Sequence, residues 1–256
     1  MTGKAISISV CGTSHKKRGV PCQDVGEVQF TPQGMLIVAV ADGAGSALHS
    51  ELGASIAVDA AMLGLAERFS TEELVGTEHD TRELLRDVAR EARQQVINAA
   101  HKLDVEKGQL ACTLILCVAS RTRVVVLHIG DGAVVIRMVD GGLQTLSAPV
   151  NGEYFNETHF LTDDTFDACG RFSACFGLPQ EIAVITDGLE LTAIDIKTYV
   201  PFAPFFNPLM DFFRDAESSD FARMEIEALL QSPRVAERTS DDLTLILASW
   251  MREPMP

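Results

Sequence analysis

The chain has 256 residues, 46% hydrophobic and 22% charged, the profile of an ordinary globular protein, and a single domain over 1–256 is expected. Acidic side chains number 36 against 21 basic ones, a formal charge of −15 that repels nucleic-acid backbones and anionic membrane surfaces and excludes both as expected partners. The six cysteines form no CxxC pair and read as reduced thiols. No apolar run approaches the roughly 18–20 residues that span a bilayer, and MTGKAISISVCGTS lacks a signal-peptide core, so the expected location is the cytoplasm.

In chain order, residues 5–11 read as a strand, followed by a polar loop, a strand near 25–30, a turn at Pro32 to Gly34 and the apolar run MLIVAVA, a strand buried on both faces. An Ala- and Gly-rich segment up to Phe69 has helical spacing, with Ser46 as its expected N-cap. A second helix is predicted where Asp80 and Glu83 are spaced as a capping box and Leu85, Val88, Ala92, Val96, Ala99 and Leu103 form one apolar stripe. Between 110 and 150, CTLILCVAS, VVVLHIG and AVVIRMV predict a meander of antiparallel hairpins. The strand EIAVIT, a helix near 219–231 and the strand LTLILASW complete the pattern. VPFAPFFNP at 200–208 is the least regular stretch, a packed loop or an interaction surface. Strands at both ends, without a low-complexity linker or repeat, point to one compact α+β unit.

Three times an apolar strand runs into Asp-Gly, at Asp42, Asp131 and Asp187, and Asp241-Asp242 opens the last strand. A lone Asp-Gly is most often only a turn. A set of them at strand ends places carboxylates on a rigid sheet border, where convergence is repulsive unless divalent cations offset it. Oxygen-only donors select Mg²⁺ or Mn²⁺ over zinc, and a glycine after the aspartate exposes its carbonyl. No GxSxG elbow supports a serine hydrolase, and DGAGSALHS completes neither GxGxxG nor a Walker motif.

The ordered motifs PCQD (21–24), ADGAGS (41–46), IGDG (129–132), TDGL (186–189) and SDDLT (240–244) resemble the type 2C, or PPM, family of metal-dependent serine/threonine protein phosphatases, in particular its short bacterial single-domain group. The resemblance spans nearly the whole chain. It implies a four-layer α-β-β-α sandwich with two central antiparallel sheets and metals at one edge. It also implies that Asp42 bridges two Mn²⁺ or Mg²⁺ ions, that the Gly43 carbonyl, Asp187 and Asp241 complete the pair, and that Asp24 acts at one remove through water. Asp131 matches a turn that helps hold a third ion in some members. The implied reaction is in-line attack of an activated water on phosphorus, without a phosphoenzyme.

A basic side chain should grip the phosphate. The candidates are His15, Lys16, Lys17 and Arg18, with Arg18 preferred, although the family's arginine sits one residue nearer the following aspartate. Where many eukaryotic members carry a histidine after Asp-Gly as general acid, this chain has Ala44, which leaves His15 and His159 as loop histidines to consider; His128 reads as packing. Leu191 stands where an acidic third-metal ligand is frequent, with Glu190 beside it. The implied partners are phosphorylated proteins, opposed by a bacterial serine/threonine kinase, and the expected form is a monomer. A pseudophosphatase that binds a partner without catalysis, and a small-molecule phosphohydrolase with the same metal cluster, are the rival readings.

Overall fold

The computed structural model describes residues 3–69, 77–148 and 158–250. One antiparallel sheet has the order β1 (Gly3–Val10), β10 (Leu243–Trp250), β9 (Pro179–Ile185), β6 (Ala133–Met138), β7 (Leu143–Ser147). The other has the order β2 (Asp24–Phe30), β3 (Leu36–Asp42), β4 (Leu114–Ala119), β5 (Arg123–Ile129), β8 (Arg171–Phe176). Helices α2 (Ser50–Phe69) and α3 (Glu78–Leu103) cover the outer face of the second sheet. The outer face of the first is covered by α5 (Asp187–Ala193), α6 (Ala203–Asp215), α7 (Ser219–Leu230) and α8 (Pro233–Ala236). The architecture is the four-layer α-β-β-α sandwich.

Strand alternation divides the core into three layers. In β3, Ile37, Ala39 and Ala41 pack on α2 and α3, while Leu36, Val38 and Val40 face the opposite sheet. In β9, Ala183 and Ile185 meet the helices of the other side, and Ile182 and Val184 point inward. β10 does the same with Leu243, Leu245 and Leu247 outward and Ile246, Ala248 and Trp250 inward. Both faces of each central strand are therefore apolar, which explains their continuous hydrophobic runs.

Several sequence expectations are corrected. The polar loop after β1 contains a short helix, α1 (Thr13–Arg18), closed by Gly19 in the left-handed region at φ 67°. The helix expected to start after Ser46 begins at Ser50, because Ala44 and His49 donate their N–H groups to Ala111 and Gln109 and hold 43–49 against that segment. The capping box of α3 is Thr77 with Asp80: the Thr77 hydroxyl accepts from the Asp80 N–H, and the Asp80 carboxylate accepts from the Thr77 N–H. Residues 200–208 are no irregular loop beyond Phe202, since α6 starts at Ala203 with a proline in its first turn and buries Phe206, Leu209, Met210 and Phe213 on one stripe. Strands β7 and β8, helix α5 and the short helices α4 (Phe166–Cys169) and α8 had no sequence expectation.

The expected meander also breaks at one point. β4 and β5 form a hairpin, but after β5 the chain passes through Gly130-Asp131-Gly132 into β6, which belongs to the other sheet. Both glycines have positive φ, 105° and 90°, and a Cβ on Gly132 would lie 2.5 Å from the Ile185 carbonyl oxygen. Gly132→Ala combines backbone strain with that clash and should destabilise the fold by about 3 kcal/mol. Urea unfolding should show a lower midpoint at an unchanged m-value; a midpoint equal to wild type would contradict the role of this crossover.

Candidate active site

The alternation continues beyond the strand ends. Asp42 follows Leu36, Val38 and Val40 on the inter-sheet face, and Asp24 shares that face with Val28 and Phe30. The two aspartates lie opposite each other in the β2–β3 register. Thr186, one residue past Ile185, donates its hydroxyl to Asp24 Oδ2 at 2.7 Å and accepts from the Thr244 N–H at 2.9 Å, so one threonine ties the two sheets together at this edge. Asp42 is held by Thr113: its N–H donates to Thr113 Oγ1 at 2.9 Å, and its carbonyl accepts from the Thr113 N–H at 2.8 Å.

Asp131 sits at the tip of the crossover. Its Oδ2 accepts from the Thr158 hydroxyl at 2.9 Å, and its Oδ1 is buried without a hydrogen-bond partner among the described residues. His128 braces this turn from within the sandwich, with Nε2 donating to the Asp131 carbonyl at 2.8 Å and Nδ1 2.9 Å from the Ser147 hydroxyl. Burial pushes this imidazole down to about 3, so it is neutral. Asp187 opens α5. One carboxylate oxygen each from Asp42, Asp131 and Asp187, three half-buried residues from three separate chain segments, lies within 4.8 Å of the other two.

The remaining sequence candidates surround this group. Asp24 is buried beside Asp42. Asp241 is exposed just before β10 and outside the three-carboxylate group, near enough that its charge raises both Asp131 and Asp187. Gly43 donates its N–H to the Gln23 carbonyl, while its own carbonyl accepts no hydrogen bond among the described residues. Ala44 packs with Ala47, Ala111 and Phe160 in a small apolar cluster. His159 is exposed.

His15 is almost completely buried in α1, with Nδ1 2.7 Å from Asp242 Oδ2. The same buried carboxylate accepts from the N–H groups of Gly12 and Gln23, both at 2.6 Å, so Asp242 clamps the whole 12–23 segment to the start of β10. Arg18, at the exposed end of α1, makes no hydrogen bond or ion pair among the described residues. Sequence reasoning missed Thr113, Thr158, Thr186 and the clamp made by Asp242. The available signal was parity, since Thr186 and Thr244 continue the inward positions of β9 and β10.

The electrostatics follow from burial first and crowding second. Burial, then the charges of Asp24 and Asp187, hold Asp42 well above the ordinary carboxylate range. Burial lifts Asp24 to about 7 against a hydrogen bond from Thr186 that favours its anion. Asp187 is raised to about 6 by burial and by Asp131, and Glu190 to about 7 by burial, then Asp131 and Asp187. Asp131 is raised as well, chiefly by burial. Converging carboxylates that disfavour their own ionisation, a partnerless Asp131 Oδ1 and an all-oxygen donor set fit a hard divalent cation.

A carboxyl whose pKa is higher folded than unfolded binds more protons in the native state, so stability falls as pH rises between the two values. For Asp24, Asp187 and Glu190 that window runs from about 4 to about 7. His128 works in the opposite sense below 6.5, one group against five when Asp42 and Asp131 are included. Chelator-treated protein should therefore lose thermal stability from pH 4 to pH 7, and saturating Mn²⁺ should remove the loss. Calorimetric scans in which Tm is flat or rises over this range without metal would contradict the assignment.

A family model described as "Protein phosphatase 2C" matches residues 11–231. The chain is 34% identical over 258 residues to "Serine/threonine-protein phosphatase 3" of Escherichia coli (strain K12), covering 98% of this chain and 99% of that protein. Its fold is similar to that of the serine/threonine phosphatase Stp1 from Staphylococcus aureus, with TM-score 0.66 at 14% identity, covering 98% of this chain and 96% of that one. It is also similar to the catalytic domain of the serine threonine protein phosphatase PstP, solved in complex with 2 manganese ions, with TM-score 0.61 at 16% identity and coverages of 96% and 97%. No helix among the described residues is long and apolar enough to cross a membrane. The matched family model and the relative aligned over almost its whole length place this chain in the protein phosphatase 2C family of metal-dependent serine/threonine phosphatases.

Proposed function

We propose that this chain, acting as one phosphatase unit, hydrolyses phosphoserine and phosphothreonine esters of proteins at the carboxylate edge of the sandwich with two Mn²⁺ or Mg²⁺ ions. The observation that carries the reading is the convergence of Asp42, Asp131 and Asp187 oxygens within 4.8 Å, each from a different part of the chain. Asp42, the Gly43 carbonyl, Asp187 and Asp241 are the residues that would hold the pair, with Asp131 available to a third ion and Asp24 acting at one remove. When bound, such ions supply water activation and offset negative charge on the phosphoryl oxygens.

The chain's own side chains supply position and charge. Thr113 and Thr186 fix the orientation of Asp42 and Asp24, and His128 fixes the turn that presents Asp131. Arg18, exposed and without a partner among the described residues, grips the phosphate. His15, buried against Asp242, acts in this reading as a positioning residue for the 12–23 segment. Ala44 offers no proton, and the apolar cluster around it leaves that position without an acid. The opposing enzyme in this reading is a bacterial serine/threonine kinase and the compartment is the cytoplasm.

The test is hydrolysis of p-nitrophenyl phosphate and a phosphothreonine peptide with Mn²⁺, with Mg²⁺ and with chelator. Turnover should require a divalent ion, and Asp42→Asn should reduce kcat to background while its metal-free form melts no lower than wild type, because carboxylate repulsion falls. Wild-type turnover in Asp42→Asn would sink the model. Arg18→Ala should raise KM about tenfold with little change in kcat, the pattern of lost ground-state binding. An unchanged KM would move the phosphate grip to Lys16 or Lys17.

A further inference from the structure

On the helical layer over β9 and β10, an open groove of about 470 Å³ runs between α6 and the α7–α8 pair. Its apolar walls include Phe202, Phe205, Phe212 and Leu229, of which Phe202 is 50% and Leu229 43% exposed. Two arginines, Arg234 in α8 and Arg238 just past its end, line the same groove and outnumber its one carboxylate, Glu225. Neither guanidinium has an ion pair or hydrogen bond among the described residues, a state shared with the exposed Arg18 and Arg223 but not with Arg68, Arg86, Arg90, Arg93, Arg137 and Arg214, which hold carboxylates. In a protein of charge −15 with carboxylates to spare, two guanidinium groups free beside exposed aromatic rings stand out as a recognition surface.

We propose that this groove docks an acidic segment of the phosphoprotein substrate carrying aromatic or leucine side chains, remote from its phosphorylated residue; the proposal rests on the phosphatase reading above. Charge complementarity selects the occupant. The net charge of −15 repels acidic chains over most of the surface, so a carboxylate-bearing segment gains at Arg234 and Arg238 what it loses on the anionic exterior, and bidentate contacts there fix its register. The apolar walls take its Leu or Phe side chains and supply affinity. Position selects the same occupant: α5 begins at Asp187, in the carboxylate cluster, and its Thr192 lines the groove, about 8 Å further along the helix axis. A substrate spanning both needs only a short linker, and tethering converts the second contact into an intramolecular one.

The experiment uses the full chain with Mn²⁺ and a phosphothreonine peptide made in three forms: alone, with an acidic Leu/Phe tail joined through a six-residue spacer at either end, and with the same tail carrying Lys in place of its acids. The acidic tail at one end should lower KM about tenfold without changing kcat. Arg234→Glu/Arg238→Glu should abolish that gain and transfer it to the Lys tail, while p-nitrophenyl phosphate turnover stays at the wild-type level. No KM effect from the acidic tail at either end, or a gain that survives charge reversal, would overturn the proposal. Should wild-type protein fail to turn over p-nitrophenyl phosphate, the phosphatase reading has failed instead. Fluorescence anisotropy of the labelled acidic tail on wild-type and charge-reversed protein then decides the groove separately. A dimer in sedimentation that charge reversal disperses would assign the groove to a second copy of this chain and would also overturn the proposal.

Discussion

Two sheets packed face to face share one apolar layer, and each strand must give every second side chain to it. That constraint orders the remainder of the molecule. Leu36, Val38 and Val40 of β3 face Ile182, Val184, Ile246 and Ala248 across the gap, and the next inward positions at the open edge are Asp42, Thr186 and Thr244. Polar groups appear on the inward face where the apolar layer reaches solvent, because deeper placement would strand them without partners. The site is thus the continuation of the core in a different chemistry, and the rigidity of the sheets holds the carboxylates closer than they would settle by themselves.

Burial and closeness together cost stability when the carboxylates are ionised, and the pKa values of Asp24, Asp187 and Glu190, raised first by burial and then by neighbouring charge, express that cost. Hydrogen bonds from Thr158 and Thr186 offset part of it, but each supplies one donor to one oxygen. Asp242 shows the contrast. It is as buried as Asp24, yet it accepts from two backbone N–H groups and meets His15, so its charge is satisfied by the fold itself. Neighbouring aspartates in the sequence therefore have opposite uses: Asp242 faces inward and clamps the 12–23 segment, while Asp241 faces solvent beside the cluster.

Much of this was legible in the sequence where periodicity is strong. The apolar runs of β3, β4, β5 and β10 and the stripe of α3 announce themselves, and the spaced aspartates mark the site. Other features lack a local signal. Helix α1 is six residues dominated by polar side chains, with no stripe to read, and is defined by its Gly19 cap. The Gly130-Asp131-Gly132 crossover uses the same turn chemistry as a hairpin, so sequence alone does not tell a return within one sheet from a passage to the other. Prolines around α6 masked a clear stripe, Phe206, Leu209, Met210 and Phe213. Thr113, Thr158 and Thr186 were invisible because a threonine near a strand end is ordinary until tertiary structure brings its carboxylate partner to it.

The charge balance then acquires a spatial meaning. A net −15 protein whose substrate carries phosphate faces repulsion at long range, but screening confines each charge to about 8–10 Å, so the local distribution governs approach. At the active edge, Lys16, Lys17 and Arg18 are all exposed on α1, which Asp242 and His15 anchor beside the carboxylate cluster. On the helical layer, Arg234 and Arg238 form a second positive site next to an apolar groove. These two positive sites lie at opposite ends of α5. Selectivity in this arrangement comes from where positive charge is left exposed.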